Sequence, residues 1–165
     1  MAATPPAVVV ALLARLLREA FDGPPGPWSY FTDMAPATGF FGTIDVLSAV
    51  EVSREGGPAR STIAGHVHHV AASLGLAARG LRGESASRDR SGSWTIRAVD
   101  DADWAALRER LRAAYQDLMV ACEMHAVWDE DALGTAVGAI AHVAYHLGAI
   151  RQRLPRRATK SRPNV

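Results

Sequence analysis

The sequence predicts an all-α chain: an antiparallel four-helix bundle with one additional short helix. Three observations carry this. Four long segments, starting near residues 4, 61, 100 and 131, repeat apolar side chains at the three- and four-residue spacing of a helix. Proline, glycine and polar clusters punctuate the stretches between them. No window alternates apolar and polar residues for long enough to build a sheet. Amphipathic helices must bury their apolar stripes, and four of them with modest connections do so as a bundle.

The first helix is expected from Thr4 as N-cap, with Pro5 at the first helical position, where its missing N–H costs nothing. Val9, Leu13, Leu16 and Ala20 form its stripe, flanked by Val10, Leu17 and Phe21. Gly23 and the run GPPGP end it. Trp28, Tyr30 and Phe31 follow in a connection unusually rich in aromatics. Packing over a bundle end is their ordinary use; lining a pocket is the less common one. A short helix is expected over Thr43–Ser53, ended by EGGP. Asp45 and Glu51 on it read as surface acids, with an approach to a metal or its ligands the alternative.

The second long helix runs from Ser61 or Thr62 to Leu81, with Ile63, Val67, Val70, Leu74 and Ala77 or Ala78 inward. A polar loop over 83–99 ends in an apolar piece, Trp94–Val99, where Trp94 reads as an anchor without chemistry. The third long helix starts at an N-cap of Asp100 or Asp101. It places Trp104, Leu107, Leu111, Ala114, Leu118 and Ala121 on one side and Arg108, Glu109, Arg112 and Gln116 toward water. The last spans about Asp131 to Leu154 and stops at Pro155.

A chain of 165 residues is most simply one domain. Residues 1–154 form it, and 155–165 read as a flexible basic tail. Net charge is +1, but six of the 18 basic side chains fall in the last fifteen residues with no acid. The remaining 12 face 17 acids, so the body of the chain is acidic. A basic tail without interleaved aromatics reads as a solvated terminus, which argues against a nucleic-acid partner. The single cysteine, Cys122, excludes an intramolecular disulfide framework and reads as core packing. No basic n-region precedes AVVVALLA, so it reads as helix rather than signal, and the expected location is the cytoplasm. Ala132–Ile150 carries no formal charge and has the length of a membrane span. Its glycines, histidines and Tyr145 favour a helix buried in a bundle or a homodimer interface.

Histidine supplies the chemistry. His142 and His146 lie at i, i+4 within AHVAYHLGAIRQ, about 40° apart on a helix. His66 and His69 lie at i, i+3 within TIAGHVHHV, while His68 points away. Two imidazoles on one helix face can grip a divalent metal when a third ligand comes from another helix. HVAYH lacks the glutamate of H-E-x-x-H, which excludes a zincin-type protease site. Spacing alone leaves a hydrogen-bonded core pair open, and leaves open which upstream histidine would complete the set. His125 reads as an end-of-helix residue.

The segments TIAGHVHHVAASL and AHVAYHLGAIRQ, with the order and spacing of helices between them, resemble the DinB/YfiT-like superfamily of metal-binding four-helix bundles. The resemblance covers about residues 5–153. It implies one divalent metal per chain, zinc or nickel, bound by three histidines. His142 and His146 match the family's terminal pair. His69 matches the upstream ligand, since it immediately precedes an apolar-small pair, Val70-Ala71; His66, one turn earlier, is the alternative. The likeness implies a thiol-dependent transferase using a low-molecular-weight thiol, or a metal-assisted hydrolase, acting on a small molecule. The alternative is a non-catalytic metal-binding or stress-related module. No catalytic side chain is assigned, though the Trp28–Phe31 loop is a candidate pocket wall.

Overall fold

The computed structural model describes residues 5–24, 26–35, 37–56, 60–84 and 94–154. These contain six helices: α1 (Pro6–Asp22), α2 (Phe40–Ile44), α3 (Ala49–Val52), α4 (Ile63–Leu81), α5 (Asp101–Met124) and α6 (Glu130–Arg151). Among the described residues there is no strand, only an isolated bridge between Gly56 and Ser61. The chain is all-α. Helix α4 packs on both α5 and α6, and α1 packs on α5 and α6 from its own side. One apolar cluster joins all four long helices, with Leu17, Phe21, Leu74, Leu107, Leu118 and Ile150 among its most buried members.

Local chemistry sets the helix ends. Thr62 Oγ1 accepts from Gly65 N at 3.0 Å, Asp100 from Asp103 N at 2.8 Å, and Asp129 from Ala132 N at 2.9 Å. Each cap satisfies an orphan N–H, and the acids in the first turns of α5 and α6 suit the positive end of the helix dipole. Pro5 takes the N-cap position of α1, one residue later than expected, and Thr4 lies outside the described residues. Gly23, at φ +100°, closes α1 with its N–H on Glu19 O.

The single short helix expected over Thr43–Ser53 is instead two, α2 and α3, and the break has a cause. In a continuous helix Leu47 O would accept from Glu51 N. Here Leu47 O accepts from Trp104 Nε1 at 2.9 Å, and Glu51 N turns to Ser48 Oγ. Ser48 and Glu51 form a reciprocal capping box that starts a new helix. Asp45, in the gap, pairs with Arg108 and Arg112 of α5. Those two arginines are therefore half-buried clamps rather than water-facing side chains.

Glu19 organises the aromatic connection. It is 1% exposed, and one carboxylate oxygen accepts from the N–H groups of Tyr30, Phe31 and Thr32. Burial pushes its pKa up, but those three N–H bonds outweigh it and hold the carboxyl below its ordinary range. The Trp28 and Tyr30 rings meet at 4.4 Å, tilted by 60°, with the Arg15 guanidinium over both.

Helix α6 is long and apolar enough to cross a membrane by length and composition, and 33% of its apolar window is buried. It packs on α1 and α4, and its outer side carries the exposed Val137 and Tyr145. Arg151 and Arg153 fold back rather than fray: Arg151 pairs with Asp33, and Arg153 holds Ser61. The basic tail over 155–165 lies outside the described residues.

Candidate metal centre

Helices α4 and α6 pack together and bring the two histidine pairs face to face. One ring nitrogen from each of His69, His142 and His146 lies within 4.8 Å of the other two, close enough to bind one metal ion. His69 Nε2 and His142 Nε2 are 2.9 Å apart. A tetrahedral ion with metal–nitrogen bonds of about 2.0–2.1 Å sets its ligand nitrogens roughly 3.3 Å apart, a spacing that the His69–His142 pair comes near. His146 is 3% exposed, and His69 and His142 are half-buried.

His66 is not in this trio. It is 5% exposed, and its Nδ1 lies 2.7 Å from His146 Nδ1. Its other nitrogen, Nε2, is 3.3 Å from Ser61 Oγ, which also accepts from Arg153 Nη2 at 2.7 Å. When His146 carries the Nδ1 proton, His66 accepts it and turns its own Nε2–H toward Ser61. That arrangement leaves His146 Nε2 as a bare lone pair, the form a metal requires. Ser73 Oγ donates to the backbone carbonyl of His69 and stands 3.3 Å from His142 Nε2. His68 lies outside the trio, as its helical position requires.

The cluster is held neutral. Burial drives His146 down to about 3, reinforced by His142, His66 and His69. Burial, then the Arg153 charge, then His69 take His66 down to about 4. Burial also lowers His69, with His142 and His68 adding to it, and lowers His142. Neutral imidazole is the ligating form, so the donor set suits a divalent ion at neutral pH.

Trp94, read from sequence as an inert anchor, is part of the site. Its ring stacks on His69 at 4.4 Å and 20°, and meets His66 edge-on at 5.2 Å. The approach depends on Gly65, where a Cβ would come within 2.9 Å of Ile96 O. A cavity of about 470 Å³ opens beside His146, walled by His66, Trp94, Ile96, Tyr145 and Arg153 among others. The Trp28–Phe31 loop, a candidate wall by sequence, does not line this cavity. It is pinned instead to α1, its backbone through Glu19 and its Trp28 and Tyr30 rings through Arg15.

The remaining candidates have structural roles. Cys122 is 1% exposed, and burial, with Glu123, pushes its thiol up to about 11. His125 follows α5 but serves α4, its Nδ1 lying 2.8 Å from Leu81 O, the last carbonyl of that helix. Asp45 and Glu51 are engaged in the ion pairs and capping box described above. The chain matches no protein-family model, no curated protein and no solved structure.

Proposed function

We propose that this chain is a divalent-metal enzyme of the DinB/YfiT-like kind, a four-helix bundle with His69, His142 and His146 as the metal ligands. Its reaction joins a small molecule to a low-molecular-weight thiol or to water. The observation that carries the reading is the convergence of these three imidazoles from two packed helices within 4.8 Å. Three ligands leave a coordination position for a reactant, the arrangement of catalytic rather than structural sites. Imidazole donors suit zinc or nickel. A bound divalent ion there would lower the pKa of a water or thiol and so supply a nucleophile near neutral pH.

The chain's own residues do the rest. His66 orients His146 through Nδ1, and Trp94 stacks on His69 and covers one side of the cluster against water. The cavity would seat a small molecule beside His146, one of the three proposed ligands. The exposed face of α6, with Val137, Gly138 and Tyr145, is the surface through which two chains would pair as a homodimer.

The test is a turnover screen of zinc- and nickel-loaded protein with thiol cosubstrates and activated acceptors or esters. The expected result is turnover that requires metal and is abolished by His146→Ala. Metal binding with no turnover across the screen would leave a non-catalytic metal-binding module as the function.

A further inference from the structure

The cavity beside His146 carries a charge that metal binding does not use. Its volume, about 470 Å³, falls in the range of roughly 300–1,000 Å³ typical of small-molecule sites. Its walls are aromatic or apolar at Trp94, Ile96 and Tyr145; among the described residues no wall residue is acidic, and Arg97 and Arg153 are both present. Arg97 shares its charge with Glu55 at 3.9 Å. Arg153 has no carboxylate within 4.0 Å among the described residues. Two of its N–H groups go to Ser61, at 2.6 Å to the carbonyl and 2.7 Å to Oγ. A guanidinium has five N–H donors, so three have no partner among the described residues, on a fork whose orientation Ser61 holds.

A half-buried cation beside apolar walls, with no counter-ion among the described residues, is matched by a ligand of opposite charge. One uncompensated charge on a planar fork fits one carboxylate, which guanidinium binds with paired N–H···O bonds. Arg153 and His146 are both walls of the cavity, so a molecule held by the first lies beside the second.

We infer that this cavity binds a small apolar monocarboxylate, with its carboxylate on Arg153, its body against Trp94, Ile96 and Tyr145, and its other end toward His146. This names a substrate class for the proposed metal enzyme and rests on that reading only for the role of the far end. Binding of the acid group depends on Arg153 alone and should occur without metal.

The test uses the full chain, both EDTA-treated and zinc-loaded. The probes are benzoate, its neutral isostere benzamide and inorganic phosphate, followed by calorimetry and by 1H–15N shifts at Ile96 and Ala149. Benzoate should bind saturably in both forms and benzamide at least about tenfold more weakly. Arg153→Gln should lower benzoate affinity at least about tenfold, and Arg153→Lys by less. Protein that takes no zinc yet binds benzoate through Arg153 would sink the metal reading and leave this inference standing. Zinc binding without saturable benzoate shifts would overturn it. So would unchanged affinity in Arg153→Gln, or displacement of benzoate by phosphate at lower concentration. If Arg153→Gln fails to fold, benzoate against benzamide on the unaltered chain decides, and equal binding overturns the inference.

Discussion

His66 and His146 meet Nδ1 to Nδ1 at 2.7 Å, across the packed faces of α4 and α6. The contact ties a histidine outside the metal trio to one inside it and selects which nitrogen of His146 is bare. Ligating histidines ordinarily give their second N–H to such a partner, and losing it costs about 10–100-fold in metal affinity. His66→Phe should weaken zinc binding by that factor, and His66→Gln, which still offers an acceptor, by less. Competition with a chromophoric chelator measures both. Equal affinity in the two variants would show that His66 only fills space.

The metal-free protein should lose stability on mild acidification. His66 and His146 titrate near 4 and 3 in the fold and near 6.5 when unfolded, so the unfolded chain binds more protons between those values. Stability is therefore full above about pH 6.5 and falls as the pH drops toward 4. Each contributes on the order of 2 kcal/mol by pH 5. Urea unfolding of EDTA-treated protein at pH 7.5 and 5 reads the loss, which His66→Phe should reduce.

Glu19→Ala would strip the shared acceptor from the N–H groups of Tyr30, Phe31 and Thr32. Buried donors left unpaired cost about 1–3 kcal/mol each where water cannot replace the acceptor. The variant should be destabilised by about 3 kcal/mol or more in chemical denaturation. Metal affinity of its folded fraction should not change, because the Trp28–Phe31 loop is not part of the site.

Gly39→Ala and Gly138→Ala should differ in sign. A Cβ at Gly39 would stand 2.4 Å from Gly23 N and 2.5 Å from Phe21 O, backbone atoms with no room to yield. This should cost at least about 2 kcal/mol. A Cβ at Gly138 meets nothing within 4 Å, and alanine in a helix gains about 0.5–1 kcal/mol over glycine. Denaturation midpoints decide the first comparison. Sedimentation of Gly138→Ala adds a second reading, since a dimer through this face of α6 should be weakened.

Much of the fold was legible because its signals are local. The caps Thr62 and Asp100, the stop at Gly23 and the period of Trp104–Leu107–Leu111 are each read within a few residues. The helix break at 45–48 was not, although Ser48-x-x-Glu51 is a local signature. The competing partners, Trp104 for Leu47 O and the α5 arginines for Asp45, come from more than fifty residues away. Within the site, the i, i+4 spacing of His142 and His146 was visible. Trp94 and Arg153 were not, because the first reaches His69 only by crossing over Gly65, and the second reaches Ser61 across 92 residues. Glu19 gave only the signal of an acid among apolar neighbours on the inward side of α1, which reads as a misplaced charge until its N–H partners are seen.

The most direct test of the metal centre is elemental analysis of tag-free protein, unaltered and as His142→Ala, His146→Ala and His68→Ala. The account predicts about one divalent ion per chain in the unaltered protein and in His68→Ala. It predicts loss of the ion in the other two, with helical content by circular dichroism retained. Full metal content in both His142→Ala and His146→Ala, or none in the unaltered protein after zinc or nickel loading, would contradict it.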